Sequence, residues 1–127
     1  MIFKQLFDEK SSTYTYIVAS DKGREALIID PVLEHTSIYT NLLNDLDLRL
    51  VKVIDTHIHA DHISAMAELK ERTNCETVMG EHTKSEVVSL KVKDNEKISI
   101  DGIVLQALYT PGHTDDSYCF VMEDRIF

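Results

Sequence analysis

The amino-acid sequence predicts an α/β fold, and three observations support that prediction. Apolar runs of strand length recur along the chain, and two segments between them repeat apolar residues at helical spacing. A histidine-rich stretch directly follows one of the apolar runs, where α/β scaffolds usually display ligands. Since the chain has 127 residues and is 43% hydrophobic, we expect a single domain over residues 1–127 without room for a second.

The first third of the chain predicts three strands and a helix. The runs Ile2–Phe7, Thr13–Ala19 and Ala26–Asp30 have strand character, and Asp21-Lys22-Gly23 supplies turn residues between the last two. Apolar residues recur at helical spacing from about Glu34 to Asp47, which predicts a helix with one apolar face. That face is formed by Ile38, Leu42, Leu43 and Leu46.

The middle of the chain continues the alternation of strand and helix. Arg49–Asp55 reads as a buried strand, and Asp61 to about Arg72 reads as a second helix. Thr77–Met79 predicts a short strand, and Glu81–Leu90 predicts a short helix or a loop over one end of the sheet. The second helix should bury Ile63, Met66, Ala67 and Leu69.

The last third of the sequence predicts an antiparallel arrangement. Lys97–Ile100 and Ile103–Tyr109 should form a hairpin, because Asp101-Gly102 between them is a strong turn dipeptide. Ser117–Met122 predicts the last full strand. Arg125-Ile126-Phe127 then resembles the beginning of a further strand.

The stretch His57-Ile58-His59-Ala60-Asp61-His62 places three imidazoles and a carboxylate within six residues. Side chains two positions apart in extended backbone point the same way, so His57 and His59 can reach one ion, with Asp61 close behind. His62 starts a helical pattern and faces a second direction. Each residue alone could have an ordinary structural role; Asp61, for example, could cap the helix that follows it. Together they predict a metal site, and nitrogen with carboxylate ligands suits zinc or iron.

A second candidate ligand follows the strand Ile103–Tyr109. Pro111-Gly112 forces a turn, so His113 is presented from a defined loop at the end of a strand. A histidine in a turn is commonly just solvated. Beside the first cluster, however, His113 becomes the candidate for a further ligand from a separate loop.

These two motifs resemble those of a known superfamily. Thr56-His57-Ile58-His59-Ala60-Asp61-His62 with Pro111-Gly112-His113-Thr114 is similar to the metallo-β-lactamase superfamily, whose fold is an αββα sandwich. The closest likeness is to persulfide dioxygenases, the sulfur dioxygenases of the ethylmalonic-encephalopathy protein type. Softer matches support that likeness at Gln5-Leu6-Phe7, Ser11–Tyr16, Ile29–Glu34 and Gly112–Tyr118.

The resemblance implies one ferrous iron held by two histidines and one aspartate, with open positions for oxygen and substrate. The histidines would be His57 and His113, while His59, Asp61 and His62 would tune them. The substrate would be glutathione persulfide, oxidised to sulfite. The zinc hydrolases of the superfamily, including glyoxalase II, suggest an alternative. There, His57, His59 and His113 would hold one zinc ion, and Asp61 and His62 would help to hold a second.

The end of the sequence sets a further expectation. In the resembled family the aspartate ligand follows in a Thr-Gly-Asp segment beyond Phe127, so we expect this chain to be the N-terminal half of such a fold, truncated after Phe127. We accordingly expect the 127 residues alone to be non-catalytic, with at best weak metal affinity. An open strand edge and apolar sheet face should also favour a homo-oligomer, with residues 125–127 covered by a partner chain.

Composition and charge exclude several classes. A net charge of −9 argues against a nucleic-acid partner, which usually meets a basic face. No run has transmembrane length and no signal peptide is visible, so the prediction is a cytoplasmic protein without a membrane partner. Cys75 and Cys119 lack metal-binding spacing and are expected to be buried free thiols, although a disulfide stays open.

Overall fold

Two packed β-sheets and two helices make up the part of the chain that the computed structural model describes, namely residues 1–58, 64–85, 88–112, 114–123 and 125–127. The helices are α1 (Thr36–Asp45), preceded by a 3-10 turn at Leu33–His35, and α2 (Met66–Thr73). The strands are β1 (Ile2–Asp8), β2 (Thr13–Ala19), β3 (Glu25–Ile29), β4 (Arg49–Ile54), β5 (Glu76–Gly80), β6 (Leu90–Val92), β7 (Lys97–Ile100), β8 (Ile103–Tyr109), β9 (Tyr118–Met122) and β10 (Arg125–Ile126).

The first sheet has the order β1-β2-β3-β4-β5-β6 and is mixed. Strands β1, β2 and β3 are antiparallel, whereas β3 to β6 run parallel. Helices α1 and α2 make the crossovers into β4 and β5, which is how parallel neighbours are normally connected. Strands β3, β4 and β5 therefore end at one edge, here called the carboxyl edge, and begin at the opposite edge, here called the amino edge.

Both faces of the first sheet are buried, so its central strands are apolar almost throughout. Alternate side chains such as Ile17 and Ile28 pack under α1 and α2, while Val18 and Leu27 face the second sheet. The second sheet, of order β10-β9-β8-β7, is antiparallel and closes the other layer with Leu105 and Phe120. The predicted mixed sheet with helices on one side is confirmed.

The first helix differs from the prediction at its start and on one face. Residues 33–35 form a 3-10 turn, and the α-helix itself begins at Thr36. Tyr39 and Leu43, four residues apart, form the stripe against the sheet, so Ile38 points outward and is 47% exposed. Of the four residues predicted to share the apolar face, Ile38 therefore lies away from the core, whereas Leu42 and Leu46 do pack against it.

The second helix begins later than predicted. Ser64 forms an isolated antiparallel β-bridge with Val32, and the N–H of Ala65 donates a hydrogen bond to the Pro31 carbonyl. The helical backbone therefore starts at Met66. Met66 and Leu69 are buried as expected, but Ala67 is exposed. The predicted core residue Ile63 and the predicted start at Asp61 lie outside the described residues.

Other expectations meet a mixed outcome. The hairpin of β7 and β8 is confirmed, whereas the short strand β6 was not predicted, and the described parts of 81–90 contain no helix.

Cys75 is a buried free thiol, while Cys119 is free but only half-buried. Phe127 stacks on Phe3 within the chain, while Ile126 is 70% exposed, and the homo-oligomer stays a prediction. In the described ranges, no helix is long and apolar enough to cross a membrane.

Candidate metal centre

Of the five predicted ligands, the described residues include His57 alone. His59, Asp61, His62 and His113 lie outside them, so their convergence on one ion stays a prediction. The described residues do include the segments that flank these ligands, namely the end of β4 up to Ile58 and the loop between β8 and β9 on both sides of position 113. These flanking segments show how the candidate centre is held.

The end of β4 delivers His57 to the carboxyl edge. Ile54 is fully buried, and the N–H of Asp55, itself only 5% exposed, continues the sheet by donating to the Val78 carbonyl. The backbone then turns at Thr56 and His57 and reaches Ile58, which is 46% exposed. A buried strand followed by a partly buried histidine is the arrangement expected for a ligand-bearing loop.

Asp30, at the end of the neighbouring strand β3, holds Thr56 with both carboxylate oxygens. The Thr56 N–H donates to Oδ1 and the Thr56 hydroxyl donates to Oδ2, each over 2.8 Å. The same hydroxyl oxygen lies 2.9 Å from Nδ1 of His57. A continuous line of hydrogen bonds therefore runs from β3 to the imidazole of the predicted ligand.

Asp116 connects the two segments that carry the predicted ligands. One carboxylate oxygen accepts the Ile58 N–H at 2.9 Å, and the other accepts the Thr114 hydroxyl at 2.7 Å. Ile58 stands between His57 and His59 in the sequence, and Thr114 directly follows His113. Since Asp116 is only 7% exposed, this clamp is shielded from water and holds the two segments together.

Backbone hydrogen bonds close the second segment on itself and on the first. The Thr110 N–H donates to the Ser117 carbonyl, which closes the loop that contains position 113. The Tyr118 N–H donates to the Thr56 carbonyl over 2.9 Å, which joins β9 to the end of β4. The two sheets are thus connected at the carboxyl edge by main-chain bonds as well as by Asp116.

An aromatic wall lies beside these segments. The His82 ring stacks on Tyr109 with 3.9 Å between centroids, and Tyr109 in turn contacts Tyr118 at 5.2 Å. Gly80 makes room for this wall, because a Cβ there would lie 1.9 Å from the Tyr118 ring. Burial raises the pKa of the Tyr118 phenol above its ordinary value.

A further carboxylate, Asp8, secures the outer corner of the carboxyl edge at the end of β1. Its side chain accepts hydrogen bonds from Ser11 and contacts the His35 ring at 2.9 Å. The Ser11 hydroxyl, followed by His35, lowers the Asp8 pKa from 3.8 to about 2. Beside it, the Tyr39 hydroxyl accepts the Val32 N–H, which ties α1 to the segment after β3.

His57, the one predicted ligand among the described residues, has the side-chain chemistry of a zinc or iron ligand. His57 offers an imidazole whose Nδ1 is engaged by Thr56, which is how ligating histidines are usually oriented. In the ranges that the structure describes, no group of three or more His, Cys, Asp or Glu side chains could hold a metal. Four of the five predicted ligands lie elsewhere, so this finding does not test the site.

The comparisons with known proteins decide the family. A sequence profile of the metallo-beta-lactamase superfamily matches residues 9–89. The chain belongs to this superfamily. It is 34% identical over 126 residues to "Persulfide dioxygenase ETHE1, mitochondrial" of Bos taurus, a match that covers 98% of this chain and 49% of that protein. The predicted resemblance to the superfamily and to its persulfide dioxygenases is confirmed.

Two further relatives complete the comparison. The crystal structure of ETHE1 from Myxococcus xanthus superposes with a TM-score of 0.96 at 43% identity, covering 100% of this chain and 56% of that chain. A hydroxyacylglutathione hydrolase of Rhodopseudomonas palustris (strain BisB18) is 34% identical over 123 residues, 94% of this chain and 47% of that protein. The chain spans about half the length of the curated relatives it matches.

Sequence reasoning found the histidines but missed the residues that hold them. Asp30 and Asp116 were noted only as parts of family-like motifs, and Thr56 only as the residue before His57. The available signal was local: Asp30 follows the apolar run Ala26–Ile29 and precedes a proline, where a carboxylate needs a specific partner. For Asp116 the partner Ile58 is 58 positions away, and no pattern in the sequence indicates that pairing.

Proposed function

We propose that this chain carries the metal-binding part of a non-haem iron persulfide dioxygenase, which oxidises glutathione persulfide with oxygen and water to sulfite, glutathione and protons. The observation that supports this most is the likeness along the entire chain to ETHE1 from Myxococcus xanthus, at 43% identity and a TM-score of 0.96. The hydrolase relative is 34% identical over a slightly shorter stretch. We therefore favour the iron-dependent dioxygenase over the zinc-dependent hydrolase.

In this proposal His57 and His113 hold the metal, and an aspartate beyond Phe127 completes the set. Ferrous iron, when bound, would supply open positions for oxygen and for the terminal sulfur of the substrate. This chain's contribution is positioning. Thr56 orients the imidazole of His57, and Asp116 fixes the spacing of the two ligand segments through Ile58 and Thr114. His59, Asp61 and His62 lie next to the ligands in sequence and would hydrogen-bond or tune them.

The alternative is a zinc-dependent thioester hydrolase of the glyoxalase II type. In that reading His57, His59 and His113 hold one zinc ion, and Asp61 and His62 help to hold a second. The superfamily uses the same residue types for both chemistries, so the choice rests on the metal and the reaction. The 34% identity to a hydroxyacylglutathione hydrolase supports this alternative.

Metal content and reaction type separate the two functions. The complete gene product, read from the DNA downstream of the Phe127 codon, is loaded anaerobically with Fe(II) or with Zn(II). Oxygen uptake is measured with glutathione persulfide, and thioester cleavage is measured with an acylated glutathione. We expect iron-dependent oxygen uptake that His57→Ala abolishes and that the matched variant His35→Gln retains, because His35 pairs with Asp8 at the end of β1 and is not a predicted ligand. Zinc-dependent thioester cleavage without oxygen uptake would establish the hydrolase instead.

The 127-residue chain tested alone gives a second outcome. We propose that it shows no measurable oxygen uptake after iron loading, since it spans about half the length of its relatives and the proposed aspartate ligand lies beyond Phe127. An oxygen electrode is again the measurement. Robust iron-dependent uptake by the purified chain would show that these residues contain a complete site.

A further inference from the structure

Asp30, Thr56 and His57 form a line of hydrogen bonds whose direction can be deduced. The Thr56 hydroxyl lies 2.8 Å from Oδ2 of Asp30 and 2.9 Å from Nδ1 of His57. A carboxylate only accepts hydrogen bonds, so the single hydroxyl proton of Thr56 is donated to Asp30. Toward His57, the Thr56 oxygen can then only accept. The proton between Thr56 and His57 must therefore belong to Nδ1 of the imidazole.

We propose that Asp30, acting through Thr56, is a positioning residue that fixes His57 in the Nδ1–H tautomer, so that Nε2 is the ring nitrogen that can bind a metal ion. A neutral imidazole carries its proton on one nitrogen only, so the proton on Nδ1 makes Nε2 the available ligand atom. The tautomer follows from the described hydrogen bonds alone. The part that concerns the metal rests on the proposed function.

The backbone at Asp30 is built to hold this carboxylate in place. Asp30 has φ +54°, in the left-handed region that Asp and Asn tolerate better than other side chains. Its N–H donates to the Ile54 carbonyl over 2.8 Å, and its carbonyl accepts the Thr15 hydroxyl over 2.7 Å. Both main-chain groups are thus anchored to strands on either side. The carboxylate is thereby directed at Thr56.

The substitution Asp30→Asn tests the direction of the line with almost no change of shape. The Asn side chain suits the same left-handed backbone, and its oxygen can still accept the Thr56 N–H. The amide NH₂ of Asn replaces the carboxylate oxygen that accepted the Thr56 hydroxyl, and it donates a hydrogen bond to the Thr56 oxygen. The Thr56 hydroxyl proton can then point toward His57. The hydroxyl then donates to Nδ1, and the imidazole proton moves to Nε2.

The measurement is ¹⁵N NMR of the histidine ring in the metal-free 127-residue chain at pH 8, where an ordinary imidazole is neutral. Ring signals of His57 are assigned by through-bond correlation to its backbone. We expect Nδ1–H in the unmodified chain and in Thr56→Ser, Nε2–H in Asp30→Asn, and a mixture in Thr56→Val. The matched control is Asp47→Asn, because exposed Asp47 shares the left-handed φ of +54° but lies at the amino edge. This control should leave the His57 tautomer unchanged.

A merely structural Asp30 would give a different result. If Asp30 only closes the turn after β3, Asp30→Asn would alter stability without moving the ring proton, and the proposal would be overturned. Nε2–H in the unmodified chain would overturn it directly. That observation needs no variant, so the proposal can still be overturned if Asp30→Asn fails to fold. Identical tautomers in Thr56→Ser and Thr56→Val would also count against it.

Zinc titration with a competing chromophoric chelator tests the metal part. We expect Asp30→Asn and Thr56→Val to bind zinc about 10- to 100-fold more weakly than the unmodified chain, with Asp47→Asn and Thr56→Ser unchanged. A tautomer shift without any change in zinc affinity would overturn the link to the metal. If the unmodified chain has Nδ1–H on His57 but the complete gene product binds neither zinc nor iron, the hydrogen-bond line from Asp30 to His57 is upheld and the proposed function is contradicted.

Discussion

The two edges of the first sheet are held by different kinds of interaction. At the carboxyl edge Asp8, Asp30 and Asp116 accept hydrogen bonds from backbone N–H groups and hydroxyls, and Asp8 and Asp116 are nearly buried. At the amino edge the side-chain contacts are mainly ion pairs, which join Arg24 to Asp101 and Arg49 to Glu25, although Glu25 also accepts the Asp101 N–H. Carboxylates bonded to fixed backbone groups define positions closely, whereas exposed ion pairs contribute little and are screened by salt. The edge that carries the candidate centre is thus the more closely defined one.

Removal of Asp116 should have the largest effect. Asp116→Ala leaves the Ile58 N–H without its acceptor and releases Thr114, so we expect the free energy of unfolding to fall by about 3 kcal/mol. Urea denaturation measures this change. The control is its exposed neighbour Asp115, and Asp115→Ala should stay within about 0.5 kcal/mol of the unmodified chain. Equal effects of the two substitutions would mean that the clamp has no energetic role.

The contact between Gly80 and Tyr118 should give the next largest effect. A methyl group at position 80 would overlap the Tyr118 ring, so Gly80→Ala should destabilise the chain by about 2 kcal/mol through overpacking. Tyr118→Leu removes the ring, and in that background the added methyl group should cost much less. A double-mutant cycle by urea denaturation gives the coupling between the two positions. Additive effects would show that the ring does not restrict position 80.

Acid should weaken the corner at Asp8 selectively. Because Ser11 and then His35 lower the folded-state pKa to about 2, below the ordinary value of 3.8, Asp8 stabilises the fold above pH 4 and loses that contribution as the pH falls toward 2. The difference in stability between the unmodified chain and Asp8→Asn should therefore narrow over this window. Denaturation curves at several pH values measure it, with Glu9→Gln as the exposed control. A gap that stays constant down to pH 2 would contradict the lowered pKa.

The smallest effect is expected at the amino edge. Arg24 and Asp101 form a close but exposed pair, which lowers the pKa of the Asp101 carboxyl and raises that of Arg24. Arg24→Ala should reduce stability less than Asp116→Ala, Gly80→Ala or Asp8→Asn, and 1 M salt should remove most of the difference. Thermal unfolding at low and high salt is the measurement. A salt-independent loss as large as that of Asp116→Ala would abolish the contrast between the edges.

The sequence predicted what depends on local pattern and missed what depends on tertiary contact. The histidine loop after β4 was found because strand periodicity and ligand chemistry are both local signals. Strand β6 was missed because three residues are too few for a pattern, and its pairing with β5 supplies its order. The exposure of Ile38 was not foreseen because helical spacing alone does not tell which side of a wide apolar face meets the sheet. Asp116 was missed because its role exists only once the two sheets have met.

That dependence has a consequence for the order of folding. All six strands of the first sheet lie within residues 2–92, so a growing chain can pair them before position 116 has been synthesised. The Ile58 N–H finds its acceptor only after β8 has returned and the loop before β9 has docked. Closing a loop of 58 positions costs chain entropy, so this contact is expected to form late in folding, as other non-local contacts do. A nascent chain would therefore present His57 before the contact between Ile58 and Asp116 has formed, and the mutual arrangement of the two segments that carry the candidate ligands would be among the last parts of the fold to form.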